Sequence, residues 1–227
     1  MTILIATIKE WNIRHAERLR DSSMYDVHII TAQSELTIEA LDELQPEWIF
    51  FPHWSWMISE EIVTKYKCVI FHTSPLPYGR GGSPIQNQII RGKYKSELCA
   101  LRAVKELDKG PIYLRQPIDL SRGTAEEILI DISDSVFKMI PILIENPPAV
   151  VEQGGESFLF KRREPWQSEI PYAFDDIRAA YDFIRMLDGE GYPKAYMNKG
   201  NVGIELSHAR LSPDGTVTGV FKLGVKE

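Results

Sequence analysis

Cysteine is scarce in this chain. Its 227 residues include two cysteines, Cys68 and Cys99, and neither belongs to a CxxC pair or to a His/Cys cluster at metal-ligand spacing. This scarcity excludes a disulfide framework and a structural zinc site, so no metal is expected. We expect both thiols to be reduced and to lie in the core.

Long apolar runs and an excess of positive charge are lacking as well. No apolar run approaches the roughly 18 residues of a membrane span, and the amino terminus lacks the basic region and cleavage site of a signal peptide. We therefore expect no membrane contact and a cytoplasmic location. The 26 Lys and Arg against 32 Asp and Glu give a net charge of -6, which offers no electrostatic reason to expect a nucleic acid partner.

The order of the remaining apolar segments predicts an α/β fold. Short strand-like runs alternate with segments of helical periodicity, which is typical of a Rossmann-like, doubly wound, mostly parallel sheet. A further strand pair and a long covering helix are predicted after it. The predicted strands are residues 3–8, 27–31, 48–52, 68–71, 98–104 and 112–118, and the long helix is 125–144.

Two segments rich in proline and glycine interrupt this pattern. No regular structure is expected through residues 75–84 (PLPYGRGGSP). The second segment, 145–155, is expected to separate a main domain (1–150) from a small α+β C-terminal appendage (151–227). The appendage is predicted to hold a helix at 174–187 and strands at 195–197, 202–211 and 217–223. Residues 164–227 carry seven basic and ten acidic side chains, which argues against an RNA clamp.

Two polar residues stand where an open α/β fold places its ligands. His72 follows the strand 68–71 at the carboxyl edge of the predicted sheet. A histidine that only caps the strand is an equally good interpretation of that position. Asp108 lies in the turn LDKGP, where an aspartate taken alone is more readily explained by bonding to the local backbone.

Three blocks of sequence give these residues a common context: FHTSPLP at 71–77, RGGSPIQ at 80–86 and LDKGPI at 107–112. In order and spacing they resemble the folate-dependent formyltransferase family. The resemblance is strong over residues 45–145 and is limited to the fold pattern before them. Residues 185–195 are similar to the smaller domain of sugar formyltransferases. The resemblance implies transfer of a formyl group from 10-formyltetrahydrofolate to a primary amine.

Such a transfer needs a group that moves protons and a group that stabilises developing oxygen charge. By resemblance, His72 is the acid/base and, when protonated, the partner of the oxyanion. Asp108 is the carboxylate that orients the imidazole and receives the amine proton.

The chain departs from the family at Ile70, because most of these transferases have an oxyanion-binding asparagine two residues before the histidine. Loss of such a donor costs about 2.7–4 kcal/mol. An apolar residue also stands there in the hydrolase domain of 10-formyltetrahydrofolate dehydrogenase, so a formate-releasing hydrolase stays open. The substitutes considered are His53, Thr73, Asn87 and the backbone of residues 79–83.

The resemblance also assigns binding roles. The predicted folate-binding residues are Trp54, Ser55, Arg80, Gly81, Leu107 and Gly110, whereas Trp56 and Ile58 are expected in the core. The predicted acceptor-binding residues are Thr73, Ser74, Pro75, Lys161 and Arg162. Arg80 either pairs with a carboxylate or holds its loop, with equal weight. The basic run 161–163 either pairs with a diphosphate or, the favoured interpretation, is a solvated stretch.

Three amine acceptors are considered: initiator tRNA, a nonribosomal peptide intermediate and a nucleotide-linked amino sugar. The amino sugar is the expected one. An acidic C-terminal part and the segment YPKA at 192–195 resemble the sugar-nucleotide enzymes, with a UDP-linked sugar preferred and a pseudaminic-acid-type pathway of surface glycan synthesis as the finer expectation. The expected partners are folate and the nucleotide sugar, without nucleic acid, and a homodimer is considered because the family often forms dimers. The alternatives are a 10-formyltetrahydrofolate hydrolase and a catalytically silent binding module.

Overall fold

The computed structural model describes residues 1–225 and divides the chain into two compact units. Unit 1 comprises Met1–Arg80, Glu97–Ile118 and Ile130–Leu159. Unit 2 comprises Gly81–Ser96, Asp119–Leu129 and Phe160–Glu227. The boundary predicted at residue 150 stays a proposal about domain organisation. Within residues 1–225, no helix has the length and apolar character of a membrane span.

The chain forms eleven strands and six helices within its described residues. The strands are β1 (Thr2–Ala6), β2 (Asp26–Ile30), β3 (Trp48–Phe51), β4 (Cys68–His72), β5 (Tyr78–Gly81), β6 (Lys95–Arg102), β7 (Ile112–Asp119), β8 (Phe158–Phe160), β9 (Ala195–Lys199), β10 (Val202–Leu211) and β11 (Val217–Val225). The helices are α1 (Glu10–Ser22), α2 (Ile38–Leu44), α3 (Glu60–Lys65), α4 (Pro84–Ile89), α5 (Ala125–Glu145) and α6 (Ile177–Arg185).

A six-stranded sheet in the order β2-β1-β3-β4-β6-β7 forms the centre of unit 1. The first four of these strands run parallel, and β6 is antiparallel to β4. Strands β1 and β3 are apolar on both faces and almost fully buried, as expected of parallel strands covered on each side. The predicted α/β class with a mostly parallel sheet is confirmed. His72 is the last residue of β4 and pairs in register with Cys99.

Unit 2 contains an antiparallel three-stranded sheet in the order β11-β10-β9, with α6 against β10. Asp176 caps α6, because its side chain accepts a hydrogen bond from the Ala179 amide. Arg185 near the end of α6 is fully buried, and its guanidinium donates to Asp182 and to the carbonyls of Leu120 and Gly123. These contacts satisfy a buried charge and join α6 to residues 119–123. The predicted small C-terminal part with a β-sheet is confirmed.

The expectation that residues 75–84 hold no regular structure is wrong. Strand β5 lies inside this stretch and pairs with β8, and α4 begins at Pro84 directly after it. The partner strand lies far along the chain, so the local turn-forming residues contain no sign of the pairing. Helix α2 also falls in a stretch where no element was predicted.

Both cysteines are free and buried, as predicted. Burial raises the pKa of the Cys68 thiol to about 12. Burial likewise raises the pKa of Cys99 to about 11, although the backbone of Leu76 and the charge of Arg115 act in the opposite direction. The thiols are therefore protonated, packed core groups rather than nucleophiles.

Candidate active site

His72 and Asp108 come together at the end of β4, as the sequence predicts for a functional pair. Both are buried, at 8% and 6% exposed. The His72 Nδ1 atom lies 3.5 Å from the Asp108 Oδ2 atom, and His72 Nε2 lies 2.8 Å from the carbonyl oxygen of Gly79. The Asp108 contact is long for a hydrogen bond, as catalytic contacts often are without a substrate.

The imidazole therefore has an oxygen on each side. A neutral ring carries one N–H and one lone pair, so one of its nitrogens would present a lone pair to an oxygen acceptor. Because the Gly79 carbonyl can only accept, Nε2 carries the hydrogen in the 2.8 Å contact, and Nδ1 is the ring nitrogen that faces Asp108.

The turn that carries Asp108 is held in an uncommon backbone conformation. Asp108 has a φ of +52°, in the left-handed region that few non-glycine residues adopt. Gly110 lies against the neighbouring chain, and a Cβ there would stand 1.7 Å from the Arg102 carbonyl oxygen. The turn thus needs glycine at this position for close approach, which accounts for Gly110 without a ligand.

A side chain from far along the sequence fixes this turn. The Gln153 amide nitrogen donates to the carbonyls of Asp108 and Gly110, at 2.8 Å each. The Gln153 amide oxygen accepts from Arg80 Nε at 3.0 Å and from Nη2 at 2.7 Å. Of the two roles considered for Arg80, these contacts favour holding the loop. Sequence reasoning missed Gln153 because it lies in the segment interpreted as an interdomain boundary, where no local signal marks it.

The residues around Gly79 have structural contacts of their own. Ser74 is buried and its hydroxyl donates to the Gly79 carbonyl at 3.1 Å, so this carbonyl accepts from Ser74 while it faces His72. Thr73 is buried and Pro75 is half-buried. Gly81 ends β5 with a φ of +99°. Binding roles for these four residues stay predictions.

The predicted folate-binding residues Trp54 and Ser55 lie in the segment 51–58 after β3. This segment is anchored at its start, where the Pro52 carbonyl accepts from the Thr7 hydroxyl at 2.6 Å and from the Asn12 amide at 3.3 Å. Trp54 packs against the core, and Ile58 does so as predicted. The expectation that Trp56 is a core residue is wrong, since it is 37% exposed with its ring against that of Trp54. Trp54 takes the core position, because its ring packs edge-on against the buried ring of Phe51.

The fit of this segment to a folate rests on one unusual atom. The indole Nε1 of Trp54 is buried and has no hydrogen-bond partner among the described residues. A pterin ring carries carbonyl and ring-nitrogen acceptors that suit such a donor. Ser55 is exposed, and Leu107, adjacent to Asp108, is 48% exposed and apolar. The unpartnered indole N–H of Trp54 is therefore the observation that fits a pterin.

Two further sequence-based candidates are placed in unit 2. Lys161 and Arg162 are exposed. The Asn87 amide nitrogen donates to the carbonyls of Gly82, Ser83 and Lys161, so its hydrogens are already committed. Asn87 is therefore a poor substitute for the missing oxyanion donor. Within residues 1–225, no group of His, Cys, Asp and Glu is arranged to hold a metal ion.

Comparison with known families gives two matches along the chain. A model described as "Formyl transferase" matches residues 20–136. A model described as "Methionyl-tRNA formyltransferase, C-terminal domain" matches residues 165–223. The first match includes both His72 and Asp108, and the two matches together account for most of the chain.

Individual relatives agree with these families. A methionyl-tRNA formyltransferase of Clostridium botulinum is 28% identical over 203 residues, which cover 83% of this chain and 64% of the relative. A solved structure of a methionyl-tRNA formyltransferase from Clostridium thermocellum is 43% identical, with a TM-score of 0.95 and 99% of both chains covered. HypX from Aquifex aeolicus, solved with tetrahydrofolic acid, is 18% identical with a TM-score of 0.74, covering 92% of this chain and 38% of its own. The chain spans about one third to two thirds of the length of the curated relatives it matches.

These relatives contradict the expectation of an amino-sugar acceptor and of a chain without nucleic acid partners. Both the curated relatives and the structure at 43% identity are methionyl-tRNA formyltransferases. The sequence motifs around His72 and Asp108 resemble those of formyltransferases in general, so they carried no information about which molecule bears the acceptor amine. The net charge is a sum over the whole surface, so it does not report a local basic patch.

Proposed function

Because this chain belongs to the formyl transferase family, whose formyl donor is 10-formyltetrahydrofolate, we propose that it transfers the formyl group to the α-amine of methionyl-tRNA. The observation that carries the proposal is the buried His72–Asp108 pair at the end of β4, within a chain that matches a methionyl-tRNA formyltransferase structure over 99% of its length. The cytoplasm is the proposed location, because aminoacyl-tRNA is used there.

The side chains of this site divide the proton and charge chemistry between them. The folate, when bound, supplies the formyl group. Asp108 is the base that takes a proton from the attacking amine. As the amine nitrogen bonds the formyl carbon, the bond from that carbon to the folate nitrogen breaks, and the proton returns to the departing folate nitrogen. His72, when protonated, stabilises the negative charge that develops on the formyl oxygen between these steps. His72 donates directly to that oxygen only after its Nε2–H leaves the Gly79 carbonyl.

Substitutions at the pair test this proposal. We expect His72→Ala and Asp108→Asn each to lower kcat for formylation of methionyl-tRNA by about 10²–10⁴-fold, the contribution of a positioned acid or base. The measurement is formylmethionine formed from 10-formyltetrahydrofolate and methionyl-tRNA, with circular dichroism as the check on folding. His28→Ala is the matched control, because His28 is half-exposed beside Asp26 at the outer strand β2. Full activity in either pair variant would remove these residues from the chemistry.

A further inference from the structure

A cavity of about 720 Å³ lies within unit 2, and none of the residues that line it is part of the candidate active site. It is built from the end of α4, the segment 163–176 and the first turns of α6. Its volume falls in the range of small-molecule sites, about 300–1,000 Å³. Its walls combine aromatic rings with two guanidinium groups, those of Arg163 and Arg178.

Arg163 is a cation with no counter-ion among the residues that the structure describes. It is half-buried, its Nε atom has no hydrogen-bond partner, and no carboxylate of residues 1–225 lies within ion-pair distance of it. One of its terminal nitrogens donates to the Gln167 carbonyl. Burial, together with the charge of nearby Arg91, lowers the pKa of this guanidinium. A desolvated cation beside a second cation is stabilised by an anion, and a guanidinium matches the geometry of phosphate.

Trp166 supplies an exposed aromatic surface at the same cavity. It sits in the short 3₁₀ turn Pro165–Ser168 and is 70% exposed. The exposed indole of Trp166 and the guanidinium of Arg163 line the same cavity. An indole can stack on the base of a nucleotide, and a guanidinium can pair with its phosphate.

The carboxylates at the cavity indicate which bases would fit. Asp176 caps α6, and Asp182 is paired with Arg178 and Arg185. Glu169 and Asp175 are exposed, line the cavity and have no ion pair with described residues. A carboxylate accepts from the exocyclic amines of adenine and cytosine, whereas uracil offers a carbonyl at that position.

We propose that this cavity binds a nucleotide of the C-C-A end that all tRNAs share, with the base on Trp166, the phosphate on Arg163 and the exocyclic amine on Glu169 or Asp175. This inference rests on the proposed function for its ligand, but the cavity itself does not depend on the chemistry at His72.

Titration of the whole chain with mononucleotides tests the proposal. We expect AMP and CMP to bind, and UMP to bind at least fivefold more weakly, by isothermal titration calorimetry. Trp166→Ala should weaken AMP binding roughly five- to hundredfold, the loss typical of one base stack, and Trp166→Phe should keep most of it. Arg163→Gln should weaken binding of AMP but leave binding of adenosine unchanged.

Two variants outside the cavity serve as matched controls. Tyr172→Ala and Arg122→Gln alter an exposed aromatic ring and an exposed arginine that do not line the cavity, and both should bind AMP normally. Formylation assays of the parent chain separate the two proposals. If the parent chain binds AMP but does not formylate methionyl-tRNA, the proposed function is overturned and the cavity proposal stands. Absence of AMP and CMP binding at millimolar concentration, equal binding of UMP, or unchanged AMP affinity in Trp166→Ala would overturn the cavity proposal.

Discussion

At the scale of single residues, the contacts of His72 decide how the site can work. Its two ring nitrogens face the Asp108 carboxylate at 3.5 Å and the Gly79 carbonyl at 2.8 Å. Because the Gly79 contact is the shorter one, the ring is already committed to the backbone before a substrate arrives. The geometry of the pair then depends on where the turn places Asp108. Gln153 holds that turn by hydrogen bonds, and Arg80 holds Gln153.

Gln153→Ala should therefore lower kcat without a comparable change in KM. The substitution removes two 2.8 Å hydrogen bonds that hold the Asp108 turn, and no substrate contact is assigned to Gln153. A loss of roughly ten- to hundredfold corresponds to misplacement of a catalytic group by a fraction of an ångström. Initial rates over a range of methionyl-tRNA concentrations separate kcat from KM, and an unchanged kcat would mean that Gln153 does not position Asp108.

Arg80→Gln is the companion variant, because it leaves Gln153 in place but removes its bidentate partner. We expect a smaller loss of kcat with the same direction, and a double variant no worse than Gln153→Ala alone, since both act through one contact. Additive losses would mean that Arg80 and Gln153 work independently.

Gly110 lies in the turn that carries Asp108 and packs closely against the Arg102 carbonyl oxygen, so a side chain there would affect both stability and the position of Asp108. Gly110→Ala would place a Cβ 1.7 Å from the Arg102 carbonyl, and we expect the free energy of unfolding to fall by about 1–3 kcal/mol. Gly154→Ala is the matched control, because a Cβ there meets nothing within 4 Å. Urea unfolding of the two variants measures the difference. Equal stability of the two would show that the turn has room to shift.

At the scale of elements, Asp188 joins the end of α6 to β10. Its carboxylate accepts from the Lys194 ammonium and from the His208 amide. Burial opposes ionisation of Asp188, but these hydrogen bonds outweigh it and hold its pKa below the ordinary value. A lowered folded-state pKa contributes stability that is present above the unfolded pKa of about 4 and is lost as pH falls through the folded value.

We therefore expect the free energy of unfolding to decrease below about pH 4, and part of this decrease to be absent in Asp188→Asn. Urea unfolding at a series of pH values between neutral and acidic is the measurement. Asp131→Asn on the exposed side of α5 is the control and should keep the pH dependence of the parent chain. A parent-like acid dependence in Asp188→Asn would place the titrating group elsewhere.

The elements differ in how far their sequence predicts them. Buried parallel strands such as β3 and β4 are predicted well, because continuous apolar runs bounded by turn residues are a local signal. Strand β5 is missed because its hydrogen-bonding partner, β8, is remote in sequence. The same limit applies in the site, where His72 and Asp108 are marked by their motifs but Gln153 is brought to Asp108 by tertiary structure alone. Trp54 packs against the core whereas Trp56 is exposed, and the spacing of the two residues in the sequence does not predict this difference.

At the scale of the whole molecule, the proposed tRNA substrate must bind a protein with a net charge of -6. The net charge does not limit local phosphate contacts, and the exposed basic run around Lys161 and Arg162 is one stretch of unit 2 that suits them. Each phosphate contact contributes a slope of roughly 0.7–0.9 to the logarithmic dependence of binding on salt. We expect a shallow total slope of about 2–3 for the KM of methionyl-tRNA.

The double variant Lys161→Gln, Arg162→Gln should reduce this salt slope by about 1.4–1.8, because it removes two cations. The matched control is Arg122→Gln with Lys138→Gln, which removes two exposed cations elsewhere. Steady-state kinetics at several potassium chloride concentrations give the slopes. Equal slopes for the two double variants would mean that the basic run does not contact phosphates.

The central claim is that methionyl-tRNA is the amine acceptor, and one comparison tests it most directly. The intact chain is incubated with 10-formyltetrahydrofolate and, in separate reactions, with methionyl-tRNA, with a UDP-linked amino sugar or without an amine, and tetrahydrofolate release is followed. The account predicts release with methionyl-tRNA, accompanied by formylmethionine on the tRNA, at a rate far above the other two reactions. Release that is fastest with the amino sugar, or that needs no amine at all, would contradict it.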